Sequence, residues 1–163
     1  MKKTILLSAF FATAFMACKK KDTNTTPTPT PTPTYTKADT LQNGKWKLTS
    51  ATAAGGLIDL TTSMKECQKD NLYTFNADKT ITVDEGATKC SSSDVSPRTD
   101  GNWALLSSNT QLSISGSSIT TQLGISNLTG DLVKLNTTTL QIKKDTTISS
   151  IPTTAVITFT NMK

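Results

Sequence analysis

Histidine is missing from this sequence of 163 residues, and aromatic and charged residues are scarce, at 6% and 18%. Without histidine the chain lacks the commonest general base and the commonest metal ligand. The net charge is only +5, and its one lysine cluster, residues 19–21, has no interleaved aromatics. We therefore expect no nucleic-acid partner. Serine and threonine are plentiful instead, which favours strands and turns over helices.

The acidic residues do not form a convincing catalytic set. Asp84 and Glu85 are adjacent, so on a strand they would point to opposite faces and make a poor acid–base pair. Glu66, Asp70 and Asp94 occur in stretches typical of loops. A serine nucleophile would need an activating base, and none is evident. We expect no enzymatic activity, no metal and no cofactor.

The N-terminus has the pattern of a targeting segment. A positive start, Met1 to Lys3, precedes about thirteen uncharged and mostly apolar residues that end at Met16. That stretch is too short to span a bilayer, which takes about 20 residues. A charged start followed by a short apolar core is typical of a secretory signal. We predict that residues 1–17 are a signal peptide.

The end of this segment, Phe15-Met16-Ala17-Cys18, resembles the lipobox of bacterial lipoproteins. The resemblance implies cleavage before Cys18 and a diacylglycerol on its sulfur, which would anchor the chain to a membrane. Lys19, rather than Asp, follows the cysteine. In Gram-negative bacteria that implies sorting to the outer membrane, facing either the periplasm or the cell surface. The alternative is ordinary cleavage that leaves Cys18 unmodified.

A proline-rich segment follows the cysteine. Threonine and proline alternate from Thr26 to Thr34. Proline fixes φ and has no N–H, so this segment can form neither helix nor sheet. We predict a disordered, extended tether over residues 18–40, at about 3.1 Å per residue where it is polyproline II.

Residues 41–163 have the alternation of apolar and polar residues that half-buried strands require. The predicted strands centre on residues 46–50, 73–75, 81–83, 101–106, 112–115, 119–128, 131–136, 140–142 and 155–159. Gly130 is assigned to the turn between the sixth and seventh of them. The short, regular spacing predicts an all-β antiparallel meander of about eight strands closed into a barrel. An immunoglobulin-like sandwich is the alternative fold.

The three cysteines fall into two groups, Cys18 near the N-terminus and the pair Cys67 and Cys90 in the predicted domain. If Cys18 carries lipid, Cys67 and Cys90 remain, and an export compartment permits a disulfide. Pairing Tyr73 with Val83 in a hairpin, and extending that ladder, brings the two cysteines together. Such a bond would contribute about 3 kcal/mol. Because both cysteines flank one hairpin, the sandwich is disfavoured; two free thiols acting as metal ligands are the other alternative.

The first strand also carries a family signature. Gly44-Lys45-Trp46 resembles the Gly-x-Trp motif of lipocalins. An ordered set then resembles the lipocalin-like domains of Gram-negative lipoproteins over residues 41–163: Trp46, Cys67, Tyr73, Phe75, Cys90 and Trp103. Lys79 departs from that pattern, where glycine is usual, so we expect strain of about 1 kcal/mol there or a different turn type.

This resemblance implies a lipocalin-like barrel that binds a small apolar ligand. The inward-facing candidates, which would either line a cavity or fill the core, are Trp46, Leu48, Tyr73, Phe75, Ile81, Val83, Trp103 and Leu105. The alternative function is a structural or interaction module of the cell envelope that has no cavity and contacts an envelope protein.

Overall fold

The computed structural model describes residues 35–125 and 127–163. The predicted signal peptide, Cys18 and the proline-rich part of the tether lie outside the described residues. These described residues belong to one compact unit. Within the described ranges, no helix is both long enough and apolar enough to cross a membrane.

Nine strands account for about half of the described residues. They are β1 (Trp46–Ala53), β2 (Ile58–Asp59), β3 (Leu72–Phe75), β4 (Thr80–Asp84), β5 (Arg98–Leu106), β6 (Gln111–Ser115), β7 (Leu128–Leu135), β8 (Thr139–Ile148) and β9 (Ile151–Asn161). Buried and less buried residues alternate along most of them, as expected for strands with one face on a core.

The strands form a closed antiparallel barrel. Strands β3 to β9 pair consecutively, and β1 closes the ring by pairing with β9 along its length and with β3 at Trp46 and Lys47. The two-residue strand β2 pairs with the end of β1 and lies outside the eight-stranded ring. The predicted all-β antiparallel barrel is therefore confirmed.

A short helix closes the end of the barrel where β1 begins, which we call the base. Helix α1 (Lys37–Gln42) starts with a capping box in which Thr36 and Asp39 satisfy each other's backbone N–H groups. Leu41 is fully buried, and the indole N–H of Trp46 donates to its carbonyl oxygen at 2.8 Å. Helix α1 is the first regular element of the described residues.

One predicted strand is wrong. Most of the stretch 119–128 is helix α3 (Ser118–Gln122) and the loop after it. Ser117 caps the helix by accepting from the N–H of Ile119, and Ile119 and Leu123, one turn apart, are both buried. The apolar residues of this stretch are therefore spaced as on one face of a helix, and the strand prediction misread that spacing as alternation.

Gly130 does not form a turn either, because it lies inside β7 and pairs with Leu112. A Cβ at Gly130 would collide with the carbonyl oxygen of Lys143 on β8. The glycine is required by the close approach of two strands. The hairpin predicted over residues 119–136 therefore does not form: its first half is α3 and a loop, and its second half belongs to the single strand β7.

The hairpin that carries the cysteines has the predicted register. Tyr73 pairs with Val83, and Phe75 pairs with Ile81. Cys67, in helix α2 (Glu66–Lys69), and Cys90 form a disulfide with their Cα atoms 5.1 Å apart. The disulfide is confirmed, and with it the alternative of two free thiols as metal ligands is excluded.

Candidate ligand site at the barrel mouth

The predicted inward residues pack against one another. Seven of the eight are buried, and the eighth, Leu105, is half-buried against the same cluster. Rings meet edge to face between Phe75 and Trp103, whose centroids are 5.8 Å apart, and between Tyr73 and Phe159, at 6.4 Å. Five of the eight, Trp46, Tyr73, Phe75, Ile81 and Val83, have no exposed surface at all.

A side chain without exposed surface borders no space that a water molecule can enter. These five residues therefore fill the barrel between its base and its middle. A ligand would have to bind further along the axis, towards the opposite end, which we call the mouth. There β1 ends at Ala53, and the hairpin of β8 and β9 turns at Ser149 and Ser150.

An apolar pocket lies at the mouth. It has a volume of about 280 Å³ and is lined by Ala54, Ile58, Ile148, Ser149, Ile151 and Thr153. Ile148 and Ile151 face each other across the last rung of the β8–β9 ladder. The other wall comes from the 3₁₀ turn Ala54–Gly56 and from β2. We call this the mouth pocket.

The β9 sequence explains why a pocket forms here. Its inward series runs through the fully buried Phe159, Ile157 and Ala155 and continues outside the core with Thr153 and Ile151. Ala155 pairs with Ala53, so two small side chains end the core. The hairpin extends beyond this point, and its inner face carries the Thr146–Thr153 pair and then the apolar Ile148–Ile151 pair. Such a concave apolar surface is typical of small-molecule sites.

A polar cluster lies under α3. The buried carboxylate of Asp100 accepts hydrogen bonds at Oδ2 from the Ser117 hydroxyl at 2.6 Å and from the backbone and hydroxyl of Ser118 at 3.0 and 2.9 Å. The Tyr73 hydroxyl donates to Gln122 at 3.3 Å. Burial raises the pKa of Tyr73, and hydrogen bonds with Asn71, Ser118 and Gln122 oppose that shift.

This cluster was not found from the sequence, although Ser117 before an apolar i, i+4 pair was the available helix-cap signal. Its hydroxyls surround a carboxylate that needs donors, so the arrangement satisfies the buried Asp100. In the described part of the chain, no three histidine, cysteine or acidic side chains gather in a way that would hold a metal. The buried Glu85 instead pairs with Arg98 at 2.5 Å.

A closed eight-stranded antiparallel barrel of this size belongs to the architectural class that either fills its interior or holds one small ligand. Residues 43–142 match the profile of the lipocalin-like domain family, and the chain belongs to that family. The matched stretch includes Trp46, Tyr73, Phe75 and Trp103, on which the resemblance was based. No curated protein matches the chain.

Proposed function

We propose that the domain binds one small apolar ligand in the mouth pocket. The observation that carries the proposal is the apolar lining of that pocket by Ile58, Ile148 and Ile151, beyond a core that is already filled. Burial of aliphatic surface would supply the affinity, at about 25 cal/mol per Å² of apolar area removed from water. Membership of the lipocalin-like family supports a binding function in preference to catalysis.

A neutral fluorescent probe, N-phenyl-1-naphthylamine, tests the site. We expect saturable binding with one probe per chain, weakened about tenfold by Ile148→Ser, because removal of part of an aliphatic contact costs on the order of 1.4 kcal/mol. The matched control is Val133→Ser, which also replaces a β-branched aliphatic side chain by serine, at an exposed β7 residue outside the pocket. Equal affinities of the two variants would contradict the proposal.

Native mass spectrometry addresses the natural ligand. The protein purified from its own cells should carry a discrete additional mass that the same protein made in a foreign host and oxidised there does not carry. A bare mass from both sources would exclude tight carriage of a ligand.

The protein's cellular location is proposed from its N-terminal sequence. Residues 1–17 would be removed, Cys18 would carry the lipid, and the domain would be tethered to the outer membrane. The Cys67–Cys90 disulfide supports an oxidising compartment. Cys18→Ser should abolish incorporation of labelled palmitate and release the protein from membranes. The control, Cys67→Ala/Cys90→Ala, should keep the label; labelling that persists in Cys18→Ser would contradict lipid attachment there.

An interaction module of the envelope is the second candidate, and one observation favours it. Leu57 is 89% exposed and Ile151 is 67% exposed, close to the mouth, where they add apolar surface to the pocket rim. Exposed aliphatic residues of this kind mark protein contacts as well as ligand sites. A photoreactive residue at position 57 should then crosslink to one discrete envelope protein in cells, and the same residue at position 133 should not.

A further inference from the structure

A second pocket lies in the barrel wall, where β1 separates from β3. Strand β1 pairs with β3 only at Trp46 and Lys47, and with β2 only from Thr52 onwards. Between these two pairings its edge faces the 3₁₀ turn Leu60–Ser63 instead of a strand. The wall is therefore interrupted over Leu48 to Ala51 on this side.

The interruption holds a half-open pocket of about 260 Å³, lined by Lys47, Leu48, Thr49, Thr61, Met64 and Lys69. We call it the wall pocket. It has room for roughly nine water-sized groups, taking about 30 Å³ for each. None of its lining residues belongs to the mouth pocket, so the two sites can be tested separately.

The floor of the wall pocket is apolar. Leu48 and Met64 each belong to the hydrophobic core and each keep 6% of their surface exposed. The pocket thus reaches the core at this point. Methionine is flexible and polarisable, so Met64 can adapt to the shape of an aliphatic or aromatic group.

The rim is cationic, because the lining includes two lysines and no carboxylate. Lys47 has no acidic partner within ion-pair distance in the described part of the chain. Lys69 pairs with Glu66 at 2.6 Å, but the two side chains are 43% and 87% exposed, and such surface pairs contribute little. The nearby Asp59 carboxylate accepts from the backbone and hydroxyl of Thr61, at 2.8 and 2.7 Å.

We infer that the wall pocket binds a small amphiphilic anion, a molecule with a short apolar tail and a carboxylate head. The tail would contact Leu48 and Met64, and the head would lie between the ammonium groups of Lys47 and Lys69. This assignment is independent of the mouth pocket, whose lining contains no charged residue.

The test uses sodium octanoate as the probe and the Met64 methyl resonance as the reporter. Met64 is assigned by its loss in Met64→Leu. Octanoate should shift the Met64 resonance saturably, whereas octanol, with the same tail and no charge, should bind at least fivefold more weakly. Lys47→Gln/Lys69→Gln should weaken octanoate about tenfold and leave octanol unchanged. Lys134→Gln, an exposed β7 lysine that lines neither pocket, is the control.

Each other outcome overturns the inference. No saturable shift of Met64 means that the pocket is not a site for this class of ligand. Equal binding of octanol and octanoate, or full affinity in the double lysine variant, means that the charge of the ligand is not recognised. Shifts confined to Ile148 and Ile151 would place the octanoate in the mouth pocket, which supports the proposed function and rejects this site.

Discussion

Lys79 shows how one residue keeps an unfavourable backbone conformation. It lies in the turn between β3 and β4 with φ at +71°, in the region that favours glycine. Its ammonium group lies 3.9 Å from the centre of the Trp103 ring. A cation over an aromatic face contributes about 0.5–1 kcal/mol at an exposed site, which is comparable with the strain. The departure from the family pattern is therefore compensated by Trp103.

Two substitutions separate these effects. Lys79→Ala loses the cation and keeps the strain, so we expect it to lower the free energy of unfolding by about 0.5–1 kcal/mol. Lys79→Gly loses the same cation but relieves the strain, so it should be more stable than Lys79→Ala by about 1 kcal/mol. Urea unfolding monitored by tryptophan fluorescence measures both. Identical stabilities for the two variants would show that the positive φ is not strained.

Tyr73 predicts a dependence of stability on alkaline pH. Burial raises its pKa above the ordinary value of about 10. The folded protein therefore holds the phenol proton more tightly than the unfolded chain does. This contribution to stability is complete below the unfolded pKa and is lost as the pH rises towards the folded pKa.

The measurement uses a Tyr35→Phe variant, in which Tyr73 is the sole tyrosine. Absorbance at 295 nm should report ionisation with a midpoint above 10, and the melting temperature should fall over the same range. A Tyr73→Phe variant should show a shallower alkaline decline. Ionisation of Tyr73 at or below its ordinary pKa in the folded protein would contradict the prediction.

At the scale of elements, the disulfide joins helix α2 to the loop after β4, at the open end of the β3–β4 hairpin. The two cysteines are separated by 23 positions in the sequence. In the chain-entropy model, closing a loop of that size stabilises the fold by about 3 kcal/mol. We expect Cys67→Ala/Cys90→Ala to lose about that much in urea unfolding, with Cys18→Ser as the control. A loss under about 1 kcal/mol would mean that the loop is ordered without the bond.

Strands could be predicted where the alternation of apolar and polar residues came with a fixed hairpin register. Strands β3 and β4 are the example, because their predicted inward-facing residues are all buried: Tyr73, Phe75, Ile81 and Val83. The region around α3 could not, because Ile119 and Leu123 fit a helix face as well as part of a strand pattern. Gly130 was ambiguous for a different reason. A glycine marks either a turn or a close backbone approach, and only the position of Lys143 on the neighbouring strand decides between them.

At the scale of the whole molecule, the candidate sites depend on contacts distant in sequence. The mouth pocket joins Ile58 to Ile148 and Ile151, and the wall pocket joins Leu48 to Met64 and Lys69. No local motif marks these residues. The sequence did indicate the inward faces of the strands, but alternation cannot distinguish a residue that fills the core from one that borders a cavity.

Closure of the barrel rests on β9. This strand pairs with β8 from Thr139 to Ile148 and with β1 from Trp46 to Ala53, and it contributes the fully buried Ile157 and Phe159. A chain that ends at Ile148 would leave the edges of β1 and β8 unpaired and the core open. Unpaired edges invite association with other chains, so we expect this variant to be aggregation-prone and to show no cooperative unfolding.

A chain that ends at Asn161 is the matched control, because it keeps the complete β9. It loses the hydrogen bond from the N–H of Met162 to the carbonyl oxygen of Lys45, at 2.8 Å, so we expect a cost of only about 0.5–1.5 kcal/mol. A synthetic peptide of residues 151–161 added to the shorter chain should restore near-ultraviolet circular dichroism, since pairing with β1 and β8 would re-form the closed ring. If the chain ending at Ile148 unfolds cooperatively without the peptide, then β1 and β8 close the barrel by themselves and β9 is dispensable.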